Sequence, residues 1–145
     1  MRSLVLQEGL AERIELDSAG TGAWHVGSPP DPRAVAAASA REIPLNGAAR
    51  TVRREDFEEF DLLLAMDSSN LRELRRLAPS AEVRAKARLL REFDPASAAA
   101  GREPARAEDL DVPDPYYGAA SGFEEVLDLV QAACAGLLAQ IRAGE

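Results

Sequence analysis

The chain has 145 residues, of which 46% are hydrophobic and 29% charged, and its formal net charge at pH 7 is −8. This length fits a single domain over residues 1–145 that can bury one core, and the composition is that of a globular protein. The negative charge argues against a protein that binds nucleic acid through its overall field. The cluster Arg50, Arg53 and Arg54 is interpreted as a solvated face.

Cysteine and histidine usage excludes two kinds of site. Cys134 is the only cysteine, so no internal disulfide can form, and one histidine cannot make a zinc cluster. We therefore expect neither a metal nor another cofactor. No apolar run approaches the length that spans a bilayer, and Gln7 follows the N-terminus too soon for a signal-peptide core. We expect a soluble, cytoplasmic protein that does not bind membranes.

The N-terminal stretch predicts a helix and then a strand. Residues 1–13 place apolar side chains at loosely helical spacing, with a helix end near Gly9. Residues 14–20 alternate apolar and polar side chains before small residues, which is typical of a strand that runs into a turn.

A long loop is predicted next, over residues 21–33. It contains Trp24 and His25, and its prolines impose an extended path before a helix over residues 34–41. Further along, Thr51 is interpreted as an imperfect helix cap, because an arginine rather than an acid follows it three residues later.

The middle of the chain predicts a strand, a turn and a helix. Residues 61–66 form a continuous apolar run, the pattern of a strand buried on both faces. Residues 67–70 then cap a helix over residues 71–77. A further strand is predicted over residues 88–93, in competition with a helical pattern that begins near Ala81.

The C-terminal part predicts a long connector and a long helix. Residues 94–111 are longer than most connections inside compact domains, so they are either mobile or part of a functional loop. The last helix is predicted over residues 122–142. Cys134 lies within it among alanines and is interpreted as a packing residue rather than a nucleophile.

Strands separated by helices predict an α/β fold with a twisted parallel sheet and flanking helices, whose loops meet at the carboxyl ends of the strands. These loops should bring together one set of polar and aromatic side chains. The set is Trp24, His25, Asp67, Asn70, Asp114, Tyr116 and Tyr117.

Residues 111–118, DVPDPYYG, form the most informative stretch of the chain. Asp114 lies between two prolines, which stiffen the backbone and remove two N–H donors. An acid on a stiff loop beside two aromatic rings suits the delivery of a proton to a leaving group. A surface turn with incidental tyrosines is the alternative that this stretch alone leaves open.

Several motifs along the chain occur together in a recognisable order. They are residues 17–21 (DSAGT), 27–33 (GSPPDPR), 55–57 (EDF), 60–61 (FD), 66–67 (MD), 70–71 (NL) and 114–118 (DPYYG). In this order they resemble the low-molecular-weight protein tyrosine phosphatases, and the resemblance covers nearly the whole chain.

The resemblance implies hydrolysis of phosphotyrosine in proteins, or of small aryl phosphates, through a cysteine-phosphate intermediate. Asp114 is then the general acid that protonates the departing phenol. The resemblance implies a substrate pocket that consists of Trp24, His25, Tyr116 and Tyr117. It also implies that Ser18, Asp67 and Asn70 support the phosphate-binding loop.

The family's first strand and its C-x5-R phosphate-binding loop have no counterpart in these residues. Cys134 is followed by its next arginine, Arg142, eight positions later instead of six. In addition, Gly47 stands where the family commonly has a histidine that steadies the loop. We therefore expect this chain to be inactive as written.

Three interpretations remain open. The one that we favour is a phosphatase whose reading frame was started too late, so that the domain is incomplete at its N-terminus. The second is a catalytically dead relative that serves as a binding or regulatory module. The third is an arsenate reductase, which the single cysteine disfavours. Because the family's first strand lies between the segments matching residues 14–17 and 61–66, its absence exposes strand edges. We expect either a sheet closed around the gap or a homodimer formed through these edges, and thus a dimer or a monomer of low stability.

Overall fold

The computed structural model describes residues 1–99, 107–115 and 121–144. It confirms an α/β fold in which helices flank a short parallel sheet. The helices are α1 (Arg2–Gln7), α2 (Pro32–Ser39), α3 (Asp56–Glu59), α4 (Ser68–Leu77), α5 (Ala81–Arg84), α6 (Pro95–Ala99) and α7 (Ser121–Ala143). The strands are β1 (Leu63–Ala65) and β2 (Ala87–Leu89), and 3₁₀ turns occupy Leu90–Phe93 and Ala107–Leu110.

The two strands pair in parallel, with Leu63 opposite Ala87 and Ala65 opposite Leu89. All four of these residues are buried, because the sheet is covered on its faces by helices. The predicted strand over residues 61–66 is therefore present, although only its central part is paired.

The strand predicted over residues 88–93 is wrong in its second half. β2 ends at Leu89, and a 3₁₀ turn follows at once. Glu92 causes this change, because its carboxylate accepts the backbone N–H of Leu89 at 3.2 Å and Nε of Arg88 at 3.0 Å, which tightens the chain. The helical pattern near Ala81 is also real and forms α5, which Ser80 caps.

The strand predicted over residues 14–20 is absent. This segment forms one isolated parallel bridge, in which the N–H of Gly20 donates to the carbonyl of Arg50 at 2.8 Å and the carbonyl of Gly20 accepts the N–H of Val52 at 2.9 Å. Alternation extends the backbone, but a strand also needs a neighbour along its length. Ile14 and Leu16 instead pack their side chains against the core cluster of α1 and α7.

Thr51 is not a helix cap, which corrects the sequence interpretation. It lies in the bridge with Gly20, and the next helix, α3, begins only at Asp56. Thr51 is held by its bridge to Gly20, which is distant in sequence. A local capping pattern cannot predict such a contact.

Other helix ends follow local chemistry. Gly9 has φ of +71°, the left-handed conformation that favours glycine, just after α1. Helix α2 begins two residues earlier than predicted, because Asp31 accepts the backbone N–H of Arg33 at 2.8 Å and Pro32 occupies the first turn. Of the predicted connector, residues 100–106 lie outside the described part of the chain.

Helix α7 confirms the predicted C-terminal helix and packs on the 3₁₀ turn Leu90–Phe93. Cys134 is 5% exposed in this contact, so its interpretation as a packing residue is confirmed.

The expectation that no segment reaches membrane-spanning length is corrected. By length and composition, the 22 residues Gly122–Ala143 are long and apolar enough to cross a membrane. The core helix of a soluble protein passes the same test, so this is weak evidence for a membrane span.

Strand β1 has a neighbour on one side only in the described part of the chain. Leu63 N–H donates to the carbonyl of Lys86 at 3.0 Å, so the alternation of a strand turns the N–H and C=O of Leu64 away from β2. On that side a cleft of about 570 Å³ separates residues 62–66 from residues 15–20. These are the two segments between which the family resemblance places its first strand.

Candidate active site

The loop after β1 meets the loop that follows residue 16. Asp67 caps α4 by accepting the backbone N–H of Asn70 at 2.7 Å, which holds the asparagine at the start of the helix. The side-chain oxygen of Asn70 in turn accepts the hydroxyl of Thr21 at 3.2 Å. The predicted convergence of Asp67 and Asn70 with the first loop is therefore present.

The segment before Asp114 is attached to the same end of β1. Val112 donates its N–H to the carbonyl of Met66 at 2.7 Å. The carboxylate of Asp111 accepts the backbone N–H of Ser68 at 2.7 Å and its hydroxyl at 3.3 Å. Three residues after Asp111, Asp114 lies on the exposed part of this segment.

Trp24 and His25 line a second cleft of about 400 Å³. Trp24 is 88% exposed, and its indole covers Gly22 so closely that a Cβ at residue 22 would collide with the ring. Ser18 also borders this cleft, close to the predicted pocket residues. Asp114 is not among the described residues that line either cleft, and Tyr116 and Tyr117 lie outside the described residues.

An ion-pair network joins the walls of the two clefts. Arg50 Nη1 and Nη2 donate to the carboxylate of Asp56 at 2.9 and 3.0 Å, and the same guanidinium lies 3.1 Å from Asp17. The interpretation of Arg50 as part of a solvated face is therefore wrong. The sequence did not predict this network, since Asp17 and Asp56 are 39 positions apart and no local pattern connects them.

The network shifts the ionisation of its members. Hydrogen bonds from Arg50 lower the pKa of Asp56 below its ordinary value despite burial, and Asp56 raises the pKa of Arg50. The pKa of Asp17 is lowered first by the backbone N–H of Ser18, at 2.8 Å, and further by Arg50. The carboxylates stay charged and hold the loop after residue 16 against residues 50–56.

Metal binding has no candidate in the described part of the chain, where no three His, Cys, Asp or Glu side chains are grouped to hold an ion.

Comparison with known proteins identifies the family. The sequence profile of the low molecular weight phosphotyrosine protein phosphatases matches residues 1–145. The chain belongs to this family. It is 48% identical to a low molecular weight protein-tyrosine-phosphatase of Streptomyces coelicolor over 97% of this chain and 81% of that protein. It is 41% identical to low molecular weight phosphotyrosine protein phosphatase 2 of Drosophila melanogaster over 98% of this chain and 80% of that protein.

A solved structure supports the same family assignment. The protein tyrosine phosphatase of Entamoeba histolytica, crystallised with Hepes in its active site, superposes with a TM-score of 0.86 at 30% identity. The superposition covers 99% of this chain and 85% of the Entamoeba chain. The low molecular weight phosphatase fold is thus established for the α/β arrangement described above.

Proposed function

We propose that these residues supply the proton donor and the substrate-binding walls of a phosphatase that acts on phosphotyrosine in proteins or on small aryl phosphates. The observation that carries the proposal is the attachment of the Asp114 segment to the end of β1 in a chain whose whole length matches the phosphatase family. Asp114 would give its proton to the phenolic oxygen as the phosphorus–oxygen bond breaks.

The proposal assigns binding rather than proton transfer to the aromatic side chains. Trp24 and His25, together with Tyr116 and Tyr117, would flank the planar ring of the substrate. Exposure of Trp24 at the rim of its cleft is consistent with contact to a ligand. Trp24→Ala should raise KM about fivefold and leave kcat nearly unchanged, since such ring contacts contribute on the order of 1 kcal/mol.

Ser18, Asp67 and Asn70 are proposed to support the phosphate-binding loop. Asp67 and Asn70 hold the start of α4 and the hydroxyl of Thr21 in one network, and Ser18 lies where both clefts meet. These contacts give the end of β1 a defined shape on which a phosphate-binding loop can rest.

The proposal assigns the role of nucleophile to none of the 145 residues. Cys134 is 5% exposed in the core, and Gln140, not arginine, stands six positions after it. We propose that a polypeptide of these residues alone has no phosphatase turnover.

The experiment that tests the role of Asp114 needs an attacking group. A family member's strand and Cys-x5-Arg loop are therefore placed ahead of Met1, and turnover is measured on aryl phosphates of increasing phenol pKa. Asp114→Asn should depress kcat most for poor leaving groups, about 10²-fold or more, because an activated phenolate departs without a proton.

A matched control separates this effect from the loss of any carboxylate. Asp128→Asn removes a carboxylate that is 71% exposed and pairs with Arg41. It should leave the dependence on leaving group unchanged. An equal loss on all esters in Asp114→Asn would mean that Asp114 is not the acid.

A binding or regulatory module is the second candidate. Gly47 favours it, because glycine cannot provide the loop-steadying side chain that the family resemblance implies at this position. Such a module would bind a phosphotyrosine peptide in the chimera without hydrolysing it. Arsenate reduction remains disfavoured, because one buried cysteine offers no second thiol to resolve an intermediate.

We also propose a cytoplasmic location and no nucleic-acid or membrane partner. The net charge of −8 supports the absence of a nucleic-acid partner, and the packing of α7 on the core supports the absence of a membrane partner. A homodimer through the open edge of β1 belongs to the same proposal and is tested below.

A further inference from the structure

Arg91 contacts the backbone of the segment that leads to Asp114. It lies in the 3₁₀ turn Leu90–Phe93, directly after β2. Its Nη1 donates to the carbonyl of Asp111 at 2.9 Å and to that of Asp109 at 3.2 Å. The Nε of the same side chain is buried and has no hydrogen-bond partner among the described residues.

The unpartnered Nε indicates what holds the guanidinium in place. A buried donor on a charged group without a partner raises the free energy of the folded state, typically by 1 kcal/mol or more. The side chain nevertheless stays half-buried, with Nη1 bonded to the carbonyls of both Asp109 and Asp111. These carbonyl contacts are therefore the polar interactions that stabilise its position.

Asp111 is held at both its backbone carbonyl and its carboxylate. Arg91 binds its backbone carbonyl, whereas Ser68 at the start of α4 binds its carboxylate. The next residue, Val112, is buried and bonded to the carbonyl of Met66. The peptide at residues 111–112 is thus held by the Arg91 side chain, by the backbone N–H and hydroxyl of Ser68, and by the carbonyl of Met66.

The segment between this anchor and Asp114 is stiff. Pro113 and Pro115 each restrict φ to a narrow range, so little backbone freedom separates the anchor from the acid. At the far end Pro115 packs close to Gly122 of α7, where an added Cβ would lie 3.2 Å from the proline ring. A displacement at Asp111 is therefore passed on to the Asp114 carboxylate instead of being absorbed in the loop.

We propose that Arg91 is a positioning residue for the general acid, acting through the Asp111 carbonyl. The inference rests on the proposed role of Asp114 and adds the group that aims it. Proton transfer requires a heavy-atom separation of about 2.6–3.2 Å, and a misplacement of about 1 Å can lower the rate as much as 10²-fold.

Two variants of Arg91 separate positioning from packing. Arg91→Met retains a long apolar stem but cannot donate to the carbonyls, whereas Arg91→Lys retains a donor. Both variants are made in the chain that carries a family member's strand and Cys-x5-Arg loop ahead of Met1. There, Arg91→Met should lower kcat about tenfold for esters with poor leaving groups and leave KM and the kcat for activated esters nearly unchanged. Arg91→Lys should recover most of the lost kcat. If Arg91→Met does not fold, Arg91→Gln, which is too short to reach both carbonyls, gives the same comparison.

A double-mutant cycle gives a readout that a merely structural role would not produce. In an Asp114→Asn background, Arg91→Met should cost no further activity, because the acid that it aims is already gone. A loss that is equal for all esters, or that persists undiminished in the Asp114→Asn background, overturns the inference. If Asp114→Asn shows the leaving-group effect and Arg91→Met does not, only the role of Arg91 fails. If Asp114→Asn shows no such effect, the proposed acid and its positioning residue fail together.

Hydrogen exchange tests the anchor without catalysis. In the 145-residue chain, the amide of Val112 should exchange faster in Arg91→Met than in the parent and in Arg91→Lys, because the adjacent carbonyl loses its donor. Equal exchange in all three proteins would show that Arg91 does not hold this segment.

Discussion

Arg50 and Asp56 form a two-bond ion pair, with Nη1 to Oδ2 at 2.9 Å and Nη2 to Oδ1 at 3.0 Å. The carboxylate is 4% exposed and the guanidinium 28% exposed, so the pair is only partly screened by water. Asp56 also accepts the backbone N–H of Arg53 at 2.8 Å, and Arg50 reaches Asp17 across the cleft. One buried carboxylate thereby organises both the start of α3 and the loop after residue 16.

This pair predicts a pH-dependent stability. The pKa of Asp56 in the folded chain is lowered from 3.8, chiefly by Arg50, so as pH falls the unfolded chain binds the proton first. The stabilisation by ionised Asp56 is therefore fully present above the pKa of Asp56 in the unfolded chain, and it is lost as pH falls through the pKa of Asp56 in the folded chain. Asp56→Asn should lower the free energy of unfolding by about 2 kcal/mol near neutral pH. The difference in this free energy between the parent and Asp56→Asn should shrink towards zero well below about pH 4.

Urea unfolding of both proteins at several pH values measures this difference. Asp128→Asn, at a largely exposed surface pair, should change the free energy of unfolding by less than about 1 kcal/mol throughout. A difference between parent and Asp56→Asn that stays constant down to acid pH would contradict the assignment of the effect to ionised Asp56.

A second prediction concerns the contact of Gly136 with the turn after β2. An added Cβ at residue 136 would collide with the backbone carbonyl oxygen of Phe93, and backbone cannot move aside as a flexible side chain can. Gly136→Ala should therefore lower the free energy of unfolding by about 2–3 kcal/mol, although alanine favours helices. Gly144→Ala is the control, since its Cβ would lie 3.6 Å from the nearest carbonyl, an ordinary contact. Equal stability of the two variants would show that α7 lies farther from Phe93.

A third prediction concerns catalysis by the 145 residues alone. If, as proposed above, these residues supply no attacking group and Cys134 is a packing residue, an aryl phosphate with a good leaving group should show no turnover above background. Cys134→Ser should give the same rate as the parent. Turnover that disappears in Cys134→Ser would instead assign this thiol a catalytic role and refute its description as a packing residue.

The open edge of β1 supports a fourth prediction. Backbone groups at this edge face the 570 Å³ cleft, and buried groups without partners cost about 1–3 kcal/mol each. We expect the 145-residue chain to dimerise through this edge or to be a monomer of low stability. Sedimentation equilibrium over a range of concentrations distinguishes the two states, and urea unfolding measures the stability of a monomer.

A charge at the edge should oppose such a dimer. Met66 is 41% exposed and borders the cleft, so Met66→Lys should shift the equilibrium to monomer. Leu6→Lys, at a 70% exposed position in α1, should not. A monomer with an unfolding free energy in the ordinary range of about 5–15 kcal/mol would show that the edge needs no second chain.

Several features of the chain were determined by local sequence. The cap of α4 by Asp67, the end of α1 near Gly9 and the long helix α7 depend on contacts within a few residues, so their patterns were sufficient. The family, too, was identifiable from short motifs, because each records a local requirement of the same fold. Convergence of Asp67, Asn70 and the first loop followed from the rule that parallel strands place their loops at one end.

The tertiary structure alone decided the rest. Residues 14–20 alternate like a strand but lack a neighbour, and a hydrogen-bonded ladder requires two segments whatever the pattern of one. Thr51 and Arg50 were misinterpreted for the same reason, since their hydrogen-bond partners are brought to them by the folding of the chain. Arg91 and Asp111 are 20 positions apart and meet only because the 3₁₀ turn Leu90–Phe93 packs against the 3₁₀ turn Ala107–Leu110. Long-range polar contacts of this kind leave no periodicity in the sequence, because each depends on where two separate segments come to lie.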